Sequence, residues 1–186
     1  AVVFEALGSG LVVEPFLGAL VVGRALGLAG NAAQKEHIAS IIDGSTVVTL
    51  AHEEPGAHYA LNRVTTRAVR NGDGWLLTGH KAVVVHGDQA QMLLVSGCTS
   101  GAVDDEDGIS LFLVPADAAR LTRRGMGRID GGRVAEVTLQ NVQVGAGALL
   151  GAEGQGFATL EHAVGWGILA VCAEALGAMD VAKKHT

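Results

Sequence analysis

Apolar residues follow two different periods along this chain. Between Val2 and Leu28 they recur at helical spacing. Gly8-Ser9-Gly10 separates a short first helix from a second that opens at Glu14-Pro15, a proline suited to a first helical turn. Asn31 and Gln34 have the spacing of a capping box, which predicts a third helix from about Ala32 to Ile42, stopped by Gly44. Beyond it the period shortens. Val47 to Ala51 is a β-branched, apolar strand that Glu54-Pro55-Gly56 brings to an end, because proline has no ladder donor and glycine permits the turn. Val64 to Arg70 alternates into Asn71-Gly72-Asp73-Gly74, and Trp75 to Gly79 runs back, the pattern of a hairpin. Lys81 to Val85 reads as a further strand, apolar enough to be buried on both faces. Gln91 to Ser96, Ile109 to Val114, a weaker Leu121 to Gly125, and Val134 to Leu139 follow, each bounded by turn residues. Short strands at regular spacing without intervening helices indicate an antiparallel barrel or sandwich. From Ala158 to Lys184 the helical period returns. Val164 to Leu176 has no polar face, as expected of a helix buried in a bundle.

Composition narrows the classes. In 186 residues, 49% hydrophobic and 17% charged side chains are ample for a packed core. The apolar runs Leu11 to Leu20 and Ile168 to Ala173 are interrupted or short, so neither a transmembrane segment nor a signal peptide is expected, and no membrane partner. A formal net charge of −6 argues against a nucleic-acid partner, and Arg120, Arg123, Arg124 and Arg128 read as a solvated rim. Cys98 and Cys172 lack metal-ligand spacing and read as reduced thiols of a cytoplasmic protein. Asp104 to Gly108 lacks the alternating ligands and closing glutamate of a calcium loop, so no metal site is expected. Gly145 to Gly151 has glycines spaced one residue too far apart for a dinucleotide fingerprint, with no βαβ context. Both chain ends lie within helical patterns, which reads as a piece of a longer protein.

Several stretches carry a resemblance. Glu53-Glu54-Pro55-Gly56-Ala57-His58-Tyr59-Ala60, the hairpin Asn71 to Lys81, the strand Val83-Val84-Val85-His86, and Val142 to Gly151 followed by Gly154-Gln155-Gly156-Phe157 resemble, in that order, motifs of the acyl-CoA dehydrogenase family. Ala33-Gln34-Lys35 through Gly44 is similar to the helix that leads into its middle domain. The resemblance implies an α+β protein with three parts: the end of an N-terminal helical domain (1–44), a flavin-type antiparallel β-barrel (45–151) and the first helix of a C-terminal bundle (152–186). The phrases around His80 to Asp88 and Cys172 to Asp180 look most like the small-subunit branch that acts on pimeloyl-CoA and steroid side chains.

What the resemblance implies for chemistry is FAD-dependent α,β-dehydrogenation of an acyl-CoA thioester by a homo- or hetero-oligomer. FAD would lie along Leu50, His52 and Glu53 and along Val83, Val85 and His86, and His58 and Tyr59 would touch acyl-CoA. Four positions depart from the family. Its flavin-bonding threonine corresponds to Glu53, its loop serine to Tyr59, its ring-stacking aromatic to Val83, and its hydroxyl residue near the reactive nitrogen to Val85. A carboxylate must take the substrate's α proton. The family's commoner base lies beyond Thr186, and the rarer position and its arginine neighbour fall on Gly167 and Ile168, so no catalytic residue is expected in this segment. Glu161 and Glu174 fall at other turns of the same helix. The alternative function is a non-catalytic partner subunit that has given up its flavin.

Overall fold

The computed structural model describes residues 1–186 and opens with three helices: α1 (Val2–Ser9), α2 (Phe16–Ala29) and α3 (Ala32–Ile42). α3 starts as the sequence predicts. The Asn31 side chain accepts from the Gln34 amide at 2.9 Å, and the Gln34 side chain accepts from the Asn31 amide at 3.0 Å, which satisfies two orphan donors at once. The helix ends at Asp43, and Gly44 takes the left-handed conformation that stops it.

Eight strands form one sheet: β1 (Val48–Ala51), β2 (Arg67–Asn71), β3 (Gly74–Val85), β4 (Met92–Cys98), β5 (Ile109–Pro115), β6 (Leu121–Gly127), β7 (Arg133–Val144) and β8 (Leu149–Leu150). The order is β6-β7-β3-β2-β4-β5-β8, with β1 beside β4. The expected antiparallel barrel is therefore corrected. The sheet is mixed, because β1 and β2 both pair with β4 in parallel while the other pairs are antiparallel, and it does not close, because its end strands β6 and β8 do not pair. Parallel neighbours need a crossover, and the long connection from Ala51 to Met92, which contains the β2–β3 hairpin, supplies it. One open edge, β6, carries exposed Arg123 and Arg124, and the other, β8, is two residues long; both devices discourage edge-to-edge pairing.

The β2–β3 hairpin turns on Gly72, at φ +60°, and Asp73, with Asn71 opposite Gly74. β3 is one strand of twelve residues where the sequence suggested two. Two apolar cores flank the sheet. On one face Trp75 meets Phe112 edge-on with centroids 5.3 Å apart, among Leu77, Leu93, Val95 and Leu139. On the other, Val22, Ala25 and Leu26 of α2 pack on Val48, Leu94 and Leu111. Burial on both faces is why β4 and β5 read as continuous apolar runs.

The last element, α4 (Phe157–Lys184), buries only one stripe: Leu160, Ala163, Gly167, Ala170, Ala173 and Gly177. The expectation of a fully buried helix is thus not met, since Ile168, Leu169 and Leu176 are each more than half exposed. At 28 residues, with a window of mean hydropathy 1.5, α4 is also long and apolar enough to cross a membrane, a length that the Ile168 to Ala173 run did not convey.

Candidate functional site

The site is built where the C-terminal end of β1, the far half of β3 and α4 come together. A bulge decides which side chains face it. Along β3, Trp75, Leu77 and Lys81 point into the core, but between Lys81 and Val84 the strand carries one more residue than β7. The extra residue reverses the alternation, so Val84 is buried while Val83, 52% exposed, and Val85 turn outward. Lys81 to Val85 is accordingly not buried on both faces. Ala82 donates its amide to the Glu53 carbonyl at 2.8 Å, which joins the bulge to the end of β1.

Between these strands and the helices lies a cleft of about 400 Å³. Leu50, His52, Glu53, Val83 and Val85 line one wall, and Val164, Gly167, Ile168, Val171 and Cys172 of α4 line the other, with Leu17, Gly18 and Val21 of α2 at the base. Gly167 lets α4 approach α2 closely there, since a Cβ would stand 3.0 Å from a Val21 methyl and push it aside. The lining is mostly apolar, and the Thr49 hydroxyl is spent on the Val85 carbonyl at 2.7 Å. The backbone amides of His52 and Glu53 have no acceptor within the chain.

The cleft gathers five of the residues expected to hold flavin. The sixth, His86, faces a neighbouring cavity of about 320 Å³ between α1, α4 and the β6–β7 turn; its Nδ1 is 2.9 Å from Gln89 Oε1. His58 and Tyr59 lie outside both cavities, on an exposed turn with φ of +49° and +67°, and Tyr59 is 92% exposed. Of the two α4 glutamates, Glu161 is exposed and Glu174 lines the second cavity, so Glu53 is the carboxylate that borders the cleft.

Behind the β1 wall lies a buried polar cluster that the sequence reading missed. Glu54 and Lys81 form an ion pair at 2.6 Å with their side chains at 1% and 0% exposure. The Glu54 carboxylate also accepts the Thr66 hydroxyl at 2.6 Å, the Thr66 amide at 3.0 Å, the Thr65 amide at 2.6 Å and the Thr65 hydroxyl. It thereby closes the loop that runs from Pro55 to β2. Lys81 Nζ completes its three bonds with Ser96 Oγ at 3.0 Å and the His52 carbonyl at 3.3 Å. His52 Nδ1 lies 2.8 Å from Ser96 Oγ. Burial pulls the Lys81 ammonium below its ordinary range, with Glu54 opposing. Burial pushes the Glu54 carboxyl up, but the Lys81 charge and the hydrogen bonds from Lys81, Thr65 and Thr66 outweigh it and hold it below its ordinary range. His52 falls to about 4, chiefly through burial and then through the Lys81 charge, so it is neutral at pH 7. A glutamate beside Pro55 and a lone lysine opening an apolar strand were the sequence signals, and only pairing makes such a lysine buriable.

Residues 49–142 match the family model of the acyl-CoA dehydrogenase middle domain. The chain belongs to the acyl-CoA dehydrogenase family. Over 154 residues it is 34% identical to the cyclohex-1-ene-1-carbonyl-CoA dehydrogenase of Geobacter metallireducens, a match covering 76% of this chain and 39% of that protein. It is 28% identical over 158 residues to a probable acyl-CoA dehydrogenase of Bacillus subtilis, covering 82% of this chain and 41% of the relative. The structure of an acyl-CoA dehydrogenase from Geobacillus kaustophilus superposes with a TM-score of 0.89 at 29% identity, over 97% of this chain and 49% of that one. The chain therefore spans less than half the length of each of these relatives, and the match to the solved acyl-CoA dehydrogenase takes in the flanking helices as well as the sheet.

Proposed function

We propose that this chain is the flavin-holding centre of an FAD-dependent acyl-CoA dehydrogenase that introduces a double bond between the α and β carbons of an acyl-CoA thioester. The observation that carries the reading is the apolar cleft between the β1 and β3 ends and α4, lined by His52 and Glu53, whose amides have no acceptor within the chain. A flat ring with apolar faces and a carbonyl edge needs both features, so the residues present fit the ring system of FAD. When bound, FAD supplies the hydride acceptor. The chain's own contribution is to hold and orient: Leu50, Val83 and Val85 offer apolar contact, and the His52 and Glu53 amides offer donors. Proton abstraction needs a carboxylate at the substrate's α carbon. α4 presents Gly167 and Ile168 to the cleft, neither of which titrates, and the one bordering carboxylate, Glu53, stands on the β1 wall among the groups that would hold the ring, so the 186-residue chain binds without turning over.

The test is a visible spectrum of the purified chain with FAD added, followed by an acyl-CoA titration with a dye acceptor. Bound flavin with no dye reduction is the expected result. No uptake at saturating FAD, or turnover by this chain alone, contradicts it.

A second reading is favoured by Glu53 and Val83. A carboxylate at the rim opposes the charge a flavin gains on reduction, and a valine at the exposed crest of the bulge gives no stacking surface. Under it the chain belongs to a non-catalytic subunit that supports a related, flavin-bearing chain, as in the two-chain branch it resembles. Stoichiometric FAD in the isolated protein removes this reading, whereas co-purification with a related chain that retains the base favours it.

A further inference from the structure

The polar cluster behind the cleft has a direction, set by how many hydrogens each member owns. Lys81 Nζ has three and spends all of them, on Glu54 Oε1 at 2.6 Å, Ser96 Oγ at 3.0 Å and the His52 carbonyl at 3.3 Å. Ser96 is fully buried, accepts from Lys81, and has one hydrogen left to donate. Its one remaining polar neighbour is His52 Nδ1 at 2.8 Å. Were Nδ1 to carry the imidazole proton, Ser96 Oγ would accept twice and its own hydrogen would be stranded in the core, an unsatisfied buried donor. Ser96 therefore donates to a bare Nδ1, and the imidazole proton sits on Nε2.

That second nitrogen has no partner within the chain, yet it is not among the sealed, unsatisfied side-chain atoms, which are His80 Nε2 and Asp88 Oδ1. His52 itself is 5% exposed and lines the cleft, so what remains accessible of it opens there. Glu53 lines the same cleft, and the amides of His52 and Glu53 have no acceptor within the chain.

We propose that His52 is a positioning residue that donates one hydrogen bond, from Nε2–H, to a carbonyl oxygen of the ligand held in the cleft, and that the buried Lys81 fixes this polarity through Ser96. The acceptor class is a carbonyl on a flavin ring or on an acyl thioester. The inference rests on the proposed reading of the cleft, but the tautomer does not depend on that reading. Lys81 acts here as an orienting charge: removing its bond to Ser96 frees the hydroxyl to rotate and lets His52 exchange tautomers.

The experiment has two parts, both on the 186-residue chain. ¹⁵N NMR of the imidazole at pH 7 reads the tautomer without any ligand. Protonated Nε2 and bare Nδ1 are expected in the wild type and a mixture in Ser96→Ala; an Nδ1–H tautomer in the wild type overturns the proposal. Separate titrations with FAD and with an acyl-CoA then compare wild type, His52→Leu and His52→Gln. About a tenfold loss in His52→Leu is expected for one of the two ligands, recovered in His52→Gln, whose amide can still donate. The ligand that shows the loss supplies the carbonyl. Equal affinities in wild type and His52→Leu for both ligands overturn the proposal while leaving the cleft reading standing. A wild type that takes up neither ligand overturns the cleft reading and the ligand half of the proposal together.

Discussion

At the scale of single residues, the cluster behind β1 makes stability depend on pH. His52 has a folded value of about 4 against an ordinary 6.5, so folding favours its neutral form. Its contribution is complete above pH 6.5 and is lost as pH falls toward 4, because the unfolded chain binds a proton that the folded chain refuses. Glu54, held below its ordinary 4.5, adds a loss in the same direction, but only below that value. Between pH 6.5 and 5 the slope belongs to His52, and 1.5 units correspond to about 2 kcal/mol. Urea titrations at pH 7 and pH 5 should show that loss in the wild type and a nearly flat response in His52→Gln. The ion pair behaves differently. Lys81→Met leaves the Glu54 charge buried without its counterion and should cost about 3–5 kcal/mol, whereas Lys81→Met with Glu54→Gln should recover part of it. A double variant no more stable than Lys81→Met would show that the lysine acts through its packing and not its charge. Chemical denaturation midpoints of both variants decide this.

At the scale of elements, two contacts between secondary structures are set by what is missing from a side chain or supplied by one. α1 and α4 cross so closely that a Cβ at Gly8 would overlap the Glu174 carbonyl, and a Cβ at Gly177 would overlap that of Glu5. The Ser9 hydroxyl reaches the Gly177 carbonyl at 3.3 Å across the same crossing. Backbone cannot yield as a flexible side chain would, so Gly177→Ala should cost about 1–3 kcal/mol by forcing the helices apart. Thermal unfolding by circular dichroism measures it, and an unchanged midpoint would mean that α1 is held elsewhere. At α3, Gln34 serves two ends: it closes the capping box and sends its amide nitrogen to the Gly147 and Leu149 carbonyls, both at 2.9 Å. Asn31→Ala removes one half of the box and should cost about 1 kcal/mol. These elements show what was legible. The capping box was readable because both partners lie within four residues, and the β2–β3 turn for the same reason. The bulge in β3 was not, since it depends on how Lys81 to Val84 meets β7, a strand some fifty residues away. Separations of 27 and 15 residues likewise hid the Glu54–Lys81–Ser96 cluster, whose members come from the loop after β1, from β3 and from β4.

At the scale of the whole molecule, family motifs conveyed the order of helices, strands and final helix because each motif is local, while closure of the sheet is not. Strand spacing could not distinguish β1 beside β4 in parallel from an antiparallel neighbour, since both satisfy the same apolar run once both faces are buried. α4 presents the related problem of a helix whose pattern is apolar all round. In this structure its buried stripe is, after Leu160, made of alanine and glycine, which lets α1 and α2 approach closely, and most of the large side chains are left outside. Leu169 is 52% exposed and Leu176 57%, and their seven-residue spacing puts them on one face, two turns apart. Monomeric proteins rarely leave such a face in water, so the isolated chain should associate with itself as concentration rises. Leu169→Gln with Leu176→Gln removes apolar area without touching the stripe that holds α4 to α1 and α2. Sedimentation velocity over a dilution series should show reversible association in the wild type and a shift toward monomer in the double variant, with the far-ultraviolet spectrum unchanged. A wild type that stays monomeric throughout would mean that this face is tolerated in water. A double variant that associates as strongly would place the contact elsewhere, with the exposed Val2 and Val3 of α1 the next surface to test.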